Sequence, residues 1–133
     1  PMPSKVYSQV TEGIRVNVGS TYIHDESSPK HNYYVFAYRV EIINESPYEV
    51  QLLSRCWHIL DGVGSQRTVT GEGVVGKQPF IPPGGQHTYV SGSHFQTSIG
   101  EMWGHYIMER QTDGARLKVK IPPFMMMVPY LNN

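Results

Sequence analysis

Gly71-Glu72-Gly73-Val74-Val75-Gly76-Lys77-Gln78-Pro79-Phe80-Ile81-Pro82-Pro83-Gly84-Gly85 is the stretch on which the fold turns. Its first six residues match the G-x-G-x-x-G pattern of dinucleotide-binding proteins. That pattern holds a pyrophosphate only where it leaves a strand and opens a helix, whose N-terminus meets the anion. Here Pro79, Pro82 and Pro83 follow at once. They remove backbone donors and impose extended geometry, so no helix starts there. A Rossmann fold is excluded, and the stretch is read as a glycine-rich loop on a β scaffold.

On both sides of the loop the apolar residues recur with period two, and helical periodicity is nearly absent. Ile14, Val16 and Val18 alternate with Arg15 and Asn17; Tyr34, Phe36, Tyr38, Val40 and Ile42 form one face, with Arg39 and Glu41 on the other. The cluster Asn44-Glu45-Ser46-Pro47 predicts a turn, and a strand follows over 50–60 before Asp61-Gly62-Val63-Gly64 turns the chain again. Further strands are predicted at 66–70, 86–91, 102–111 and 115–121, the last two joined by Asp113-Gly114, a strong hairpin signal. Seven or eight strands with short turns predict an all-β antiparallel sandwich, immunoglobulin-like or fibronectin type III-like. Trp57 is expected in the inter-sheet core. Ser27-Ser28-Pro29-Lys30-His31 reads as a loop within one domain spanning 1–133, with an ordered core from about 5 to 129. Pro1 ahead of Met2 is given no structural weight.

Composition narrows the partners. Eleven basic and eleven acidic side chains balance, which supplies no broad field for nucleic acid or an anionic membrane. The nine tyrosines would offer stacking surfaces, but without an electrostatic funnel beside them nucleic acid is not expected as a partner. A single cysteine, Cys56, cannot form an internal bridge, so the sandwich holds by packing, and a reducing, cytoplasmic setting is expected. No apolar run is long enough to span a bilayer, and no membrane partner is expected.

Taken together, several strings resemble the ApaG family. They are Ser27-Ser28-Pro29, Tyr34-Val35-Phe36-Ala37-Tyr38, Val50-Gln51-Leu52-Leu53-Ser54-Arg55 with Trp57, and the central Gly71–Pro79 motif. Tyr89 with Ser91-Gly92, Gly100-Glu101-Met102 with Gly104 and Tyr106, and Ile121-Pro122-Pro123-Phe124 continue the match in order. The resemblance implies a fibronectin type III-like sandwich. It also implies genetic links to cobalt tolerance and magnesium efflux, and genes often placed beside a diadenosine tetraphosphate hydrolase. In eukaryotes the same domain is appended to an F-box protein and a polymerase-interacting protein, which implies protein binding.

Candidate sites follow from the residues. Gly71, Glu72, Gly73, Gly76 and Lys77 would form a nest of amides with one added cation, able to hold a nucleotide polyphosphate together with a divalent ion. Glu72 opposes an anion there, and glycines also simply permit a tight corner. For metals, Cys56 and His58 lie two apart on one strand face, short of the ligands a transition metal needs. His24-Asp25-Glu26 has nothing to bring it near them, and the remaining acids are scattered for magnesium. No nucleophile elbow appears, and Cys56 lies mid-strand, so no catalytic residue is assigned. The apolar run 124–131 fits partner binding better, with Phe124, Met125 and Met127 as contacts and Arg55, Glu72 and Lys77 as polar specificity points. A simpler packing has Phe124, Met126 and Val128 complete a sheet face and leaves Met125 and Met127 outside, beside an edge that would attract a partner or a second copy. The expected role is a non-enzymatic binding module without a cofactor, mediating protein–protein interaction, homodimerisation included.

Overall fold

The computed structural model describes residues 5–132, so Pro1 and Met2 lie outside it. Every strand pairing in it is antiparallel. Nine strands form: β1 (Tyr7–Thr11), β2 (Ile14–Tyr22), β3 (Tyr34–Asn44), β4 (Val50–Asp61), β5 (Gln66–Glu72), β6 (Phe80–Ile81), β7 (Gln86–Phe95), β8 (Ile99–Arg110) and β9 (Arg116–Met127). Short 3₁₀ turns occupy His24–Glu26, Pro29–His31 and Pro129–Asn132. One sheet runs β1-β2-β3-β7; the other runs β5-β4-β8-β9, with β6 also paired to β4. The all-β sandwich is as the period-two pattern requires.

The strand count is higher than seven or eight, for identifiable reasons. Strand β1 is short and no residue in it is fully buried, so its sequence lacks an apolar stripe. Strand β6 is only two residues long and lies just before Pro82. The last strand was expected to stop at Ile121, before Pro122-Pro123, yet β9 continues to Met127. Its register shifts there, with Met102 opposite Phe124 and Gly104 opposite Ile121. Two prolines therefore face the single residue Trp103. A bulge is where a strand tolerates residues without an N–H, and the shift moves the buried set from Leu117, Val119 and Ile121 to Phe124 and Met126.

A second bulge lies in β4. Leu52 pairs Met108 and Ser54 pairs Ile107, so Leu53 is the extra residue. Ahead of it Val50 and Leu52 face the core; beyond it the inward positions become Arg55, Trp57 and Ile59. Trp57 fills the core as expected, edge-on to Tyr38 and Phe124 at centroid distances of 5.3 and 5.8 Å.

The two long sides of the sandwich differ. On one, β1 and β2 pack on β9, pinned by hydrogen bonds from the Lys120 amide to Thr11 Oγ1 and from Ser20 Oγ to the Met125 carbonyl. On the other, β5 and β7 each pair with one neighbour only, and the sheets stand apart. Asn44 is the one buried polar residue among those described. Its side-chain amide donates to the Tyr48 and Ile81 carbonyls, and its oxygen accepts from the Ser46 amide and hydroxyl.

Gly104 shows how closely β4 and β8 approach: a Cβ there would sit 1.9 Å from the Cys56 carbonyl oxygen. Backbone has no flexible end to swing aside. Gly104→Ala is expected to lower stability by about 3 kcal/mol, measured by urea denaturation; a loss under about 1 kcal/mol would show that the sheet relaxes freely.

Candidate functional site

The open side between β5 and β7 contains two adjoining clefts of about 350 and 370 Å³. They share Tyr38, Arg55 and Ser91, so Arg55 stands at their junction. Alternation explains the composition of the walls. The inner face of β5 carries Arg67, Val69 and Gly71, which pair with Ile59, Trp57 and Arg55. The inner face of β7 carries Ser91 and Ser93, opposite Tyr38 and Phe36. These positions would be core if the sheets met; because they stay apart, polar and small residues occupy them.

Arg55 is placed by its cross-strand partner. Gly71 lies directly opposite, and a Cβ on it would come within 2.8 Å of Arg55 Nη2. The guanidinium thus lies in the space that Gly71 leaves vacant. From there Nη1 donates to the carbonyls of Glu72 and Gly73, both at 2.9 Å. Arg67 reaches across the mouth, its Nη2 donating to the His94 carbonyl of β7 at 3.1 Å. Among the described residues the ion pairs are Arg15–Glu45, His24–Asp25, Arg110–Asp113 and Arg116–Glu109, and neither cleft arginine takes part.

Tyrosines complete the interior behind Arg55. The Tyr89 and Tyr106 hydroxyls hydrogen-bond to each other and so tie β7 to β8. Burial pushes all three phenols, Tyr38, Tyr89 and Tyr106, above the ordinary tyrosine range against the lowering pull of the Arg55 charge. They stay neutral, and no phenolate compensates the guanidinium. Trp57 lines the cleft of about 350 Å³ with Tyr38, and its indole N–H is the one buried side-chain polar group among the described residues that has no partner.

The glycines of the loop each have a local reason. Gly73 adopts φ +63°, and a Cβ on it would come within 2.3 Å of the Lys77 carbonyl oxygen. Gly76 adopts φ +74° in the tight turn closed by reciprocal Val74–Lys77 backbone bonds. The amides of Gly73, Val74 and Lys77 already donate to backbone carbonyls. Lys77 is exposed, and its charge joins burial in lowering the His87 pKa. Val75 is the anomaly. It is β-branched at φ +47°, a conformation costing about 1–3 kcal/mol, and its side chain is 64% exposed on the cleft wall.

The other candidate residues fall elsewhere. Phe124 is fully buried beneath Trp57 and Tyr38, so its expected role as a partner contact is corrected: it is core. Met125 is exposed and Met127 half-buried, on a strand at the edge of the sheet opposite β5, about 14 Å away by strand spacing. That edge is covered by β1 and β2, so the free edges are β5 and β7 instead. Cys56 Sγ lies 3.8 Å from His58 Nε2, and among the described residues no group of three or more His, Cys, Asp or Glu converges on a metal position. Arg67, Ser91 and the Trp57 N–H were not singled out from the sequence. Their one signal is polarity at inward positions of otherwise apolar strands.

Comparison with known proteins places this arrangement. The profile of the ApaG domain matches residues 24–110. The chain belongs to the ApaG family. It is 47% identical over 124 residues to Protein ApaG of Brucella abortus (strain S19), covering 93% of this chain and 95% of that one. With Protein ApaG of Klebsiella pneumoniae (strain 342) the identity is 49% over 116 residues, 87% and 92% of the two chains. A crystal structure of a Bordetella pertussis protein designated ApaA superposes with TM-score 0.85 at 38% identity, covering 87% of this chain and 94% of that one. The C-terminal domain of wzt shares the fold alone, with TM-score 0.54 at 10% identity over 96% of this chain and 81% of that one. The ApaG profile omits β1, β2 and β9 yet spans every cleft residue described above.

Two glycine substitutions separate the cleft from the loop. Gly71→Ala meets only the flexible end of Arg55, so stability should change by less than about 1 kcal/mol while the Arg55 Nε–H resonance moves. Gly73→Ala meets backbone at positive φ and should cost about 3 kcal/mol. Equal urea midpoints for the two variants would contradict this assignment.

Proposed function

We propose that this chain is a non-enzymatic binding module that seats a protein partner in the cleft between the free edges of β5 and β7. The observation carrying this is the inward-facing Arg55 at the junction of two open clefts, without a carboxylate partner among the described residues. An apolar rim accompanies it: Val69 and Val75 are 41% and 64% exposed on the cleft walls. Free strand edges supply unpaired amides and carbonyls on which an extended segment adds as a further strand. Strain at Val75 is retained where a side chain has to be presented, and here it is presented at the mouth. Sandwiches of the immunoglobulin and fibronectin type III kind carry partner binding on such loops and edges, an analogy of fold that adds only a prior. The one cysteine suits a reducing, cytoplasmic setting. Among the described residues no helix is long and apolar enough to cross a membrane.

The polyphosphate reading of Gly71–Lys77 is the weaker one, because the Gly73, Val74 and Lys77 amides already donate to backbone carbonyls.

A photo-crosslinking amino acid placed singly at Val69 or Val75 should give a discrete adduct in lysate of the source organism. The same group at Val10, which is 43% exposed on the covered side, should give none. An adduct of twice the chain mass would identify a second copy. Val75→Gly should keep or raise thermal stability by relieving strain, yet weaken adduct formation from Val69 severalfold. Equal labelling from Val10 would sink the proposal.

A further inference from the structure

The cleft has a chemical polarity that names what the partner must bring. Around Tyr38 its wall offers the side chains of Arg55, Arg67, Ser91, Ser93 and Trp57 and the His94 carbonyl, and it includes no acidic side chain. The one acid nearby, Glu72, lines the adjoining cleft at the loop end and makes no ion pair. The Arg55 and Arg67 hydrogen bonds go to backbone carbonyls, through Nη1 and Nη2 respectively, so each fork retains further N–H donors. Trp57 lines the same cleft but is 3% exposed with its indole N–H fully buried, so it contributes ring surface and no donor within reach.

We propose that this cleft is a carboxylate-recognition subsite: an extended segment of a partner protein runs between β5 and β7 and inserts an internal Glu or Asp side chain toward Arg55 and Arg67. This rests on the cleft being the partner site. A planar two-oxygen acceptor suits guanidinium forks. The acid lies within the segment and not at its end, because the cleft continues on both sides of Arg55. A terminal carboxylate would fill one half and leave the other empty. Val69 on one side and Val75 on the other flank the junction, which fits apolar residues on either side of the acid.

The test uses the full chain labelled with ¹⁵N and three blocked peptides: acetyl-Val-Thr-Glu-Val-Thr-amide, its Gln counterpart and its phosphoserine counterpart. The chain has two tryptophans, so the Trp57 indole cross-peak reports the cleft and Trp103, on the outer face, is the internal control. The Glu peptide should move the Trp57 cross-peak saturably and leave Trp103 still, with the Gln peptide roughly tenfold weaker. Arg55→Gln should weaken the Glu peptide by a factor on the order of ten, followed through backbone amides of β7. Arg67→Gln, on an exposed edge and safe for folding, should weaken it and flatten its salt dependence.

Equal binding of the Glu and Gln peptides overturns the carboxylate anchor while leaving the cross-linking result, and so the cleft, untouched. Tighter binding of the phosphoserine peptide overturns it in favour of a phosphate. An unmoved Trp57 cross-peak with every peptide overturns it outright.

Discussion

One extra residue in β4, Leu53, sets the phase of everything that follows it. In a strand the side-chain period is two, so a single inserted residue exchanges the faces beyond it. With the bulge, Trp57 and Ile59 enter the core and Cys56 and His58 turn outward. Without it, Trp57 would face solvent and the contacts with Tyr38 and Phe124 would be lost. The same shift brings Arg55 to the inner face, a position an arginine occupies only where water or a ligand still reaches it. The open side provides that access, and Gly71 provides the room.

The two sides of the sandwich deal with their edges by opposite means. Against β9 the strands β1 and β2 close the layer, so the apolar run from Phe124 to Val128 is largely consumed as core. At β5 and β7 the sheets diverge, and edge pairing is left unfilled. The glycine-rich loop belongs to this open side. Its glycines serve Arg55, the Gly73 corner and the Gly76 turn in sequence, which is why a dinucleotide-like spacing arises with no helix behind it.

How much was legible from the residues depends on the range of the interaction concerned. Alternation along 34–42 and the Asp113-Gly114 turn are local, and they correctly gave antiparallel strands and a hairpin. The simpler packing of Phe124, Met126 and Val128 was also readable, because period two survives the bulge once it is passed. Assigning Phe124 to a partner failed because an apolar tail reads the same whether a neighbouring strand covers it or not. Strand β9 ran on through Pro122-Pro123 because Trp103 opposite them absorbs the extra residue, and that is a property of the pair of strands.

The cleft is a matter of pairs at long range. Arg55 with Gly71, Arg67 with His94 and Tyr89 with Tyr106 are separated by 16 or more residues along the chain. No spacing rule links them. By itself the sequence determined the β class, the sandwich, the exclusion of a Rossmann fold and the family resemblance, since these follow from side-chain period, proline and ordered motifs. Only the tertiary structure decided which edges stay free and which face Arg55 takes, because register, bulges and sheet divergence are set by packing between strands distant in sequence.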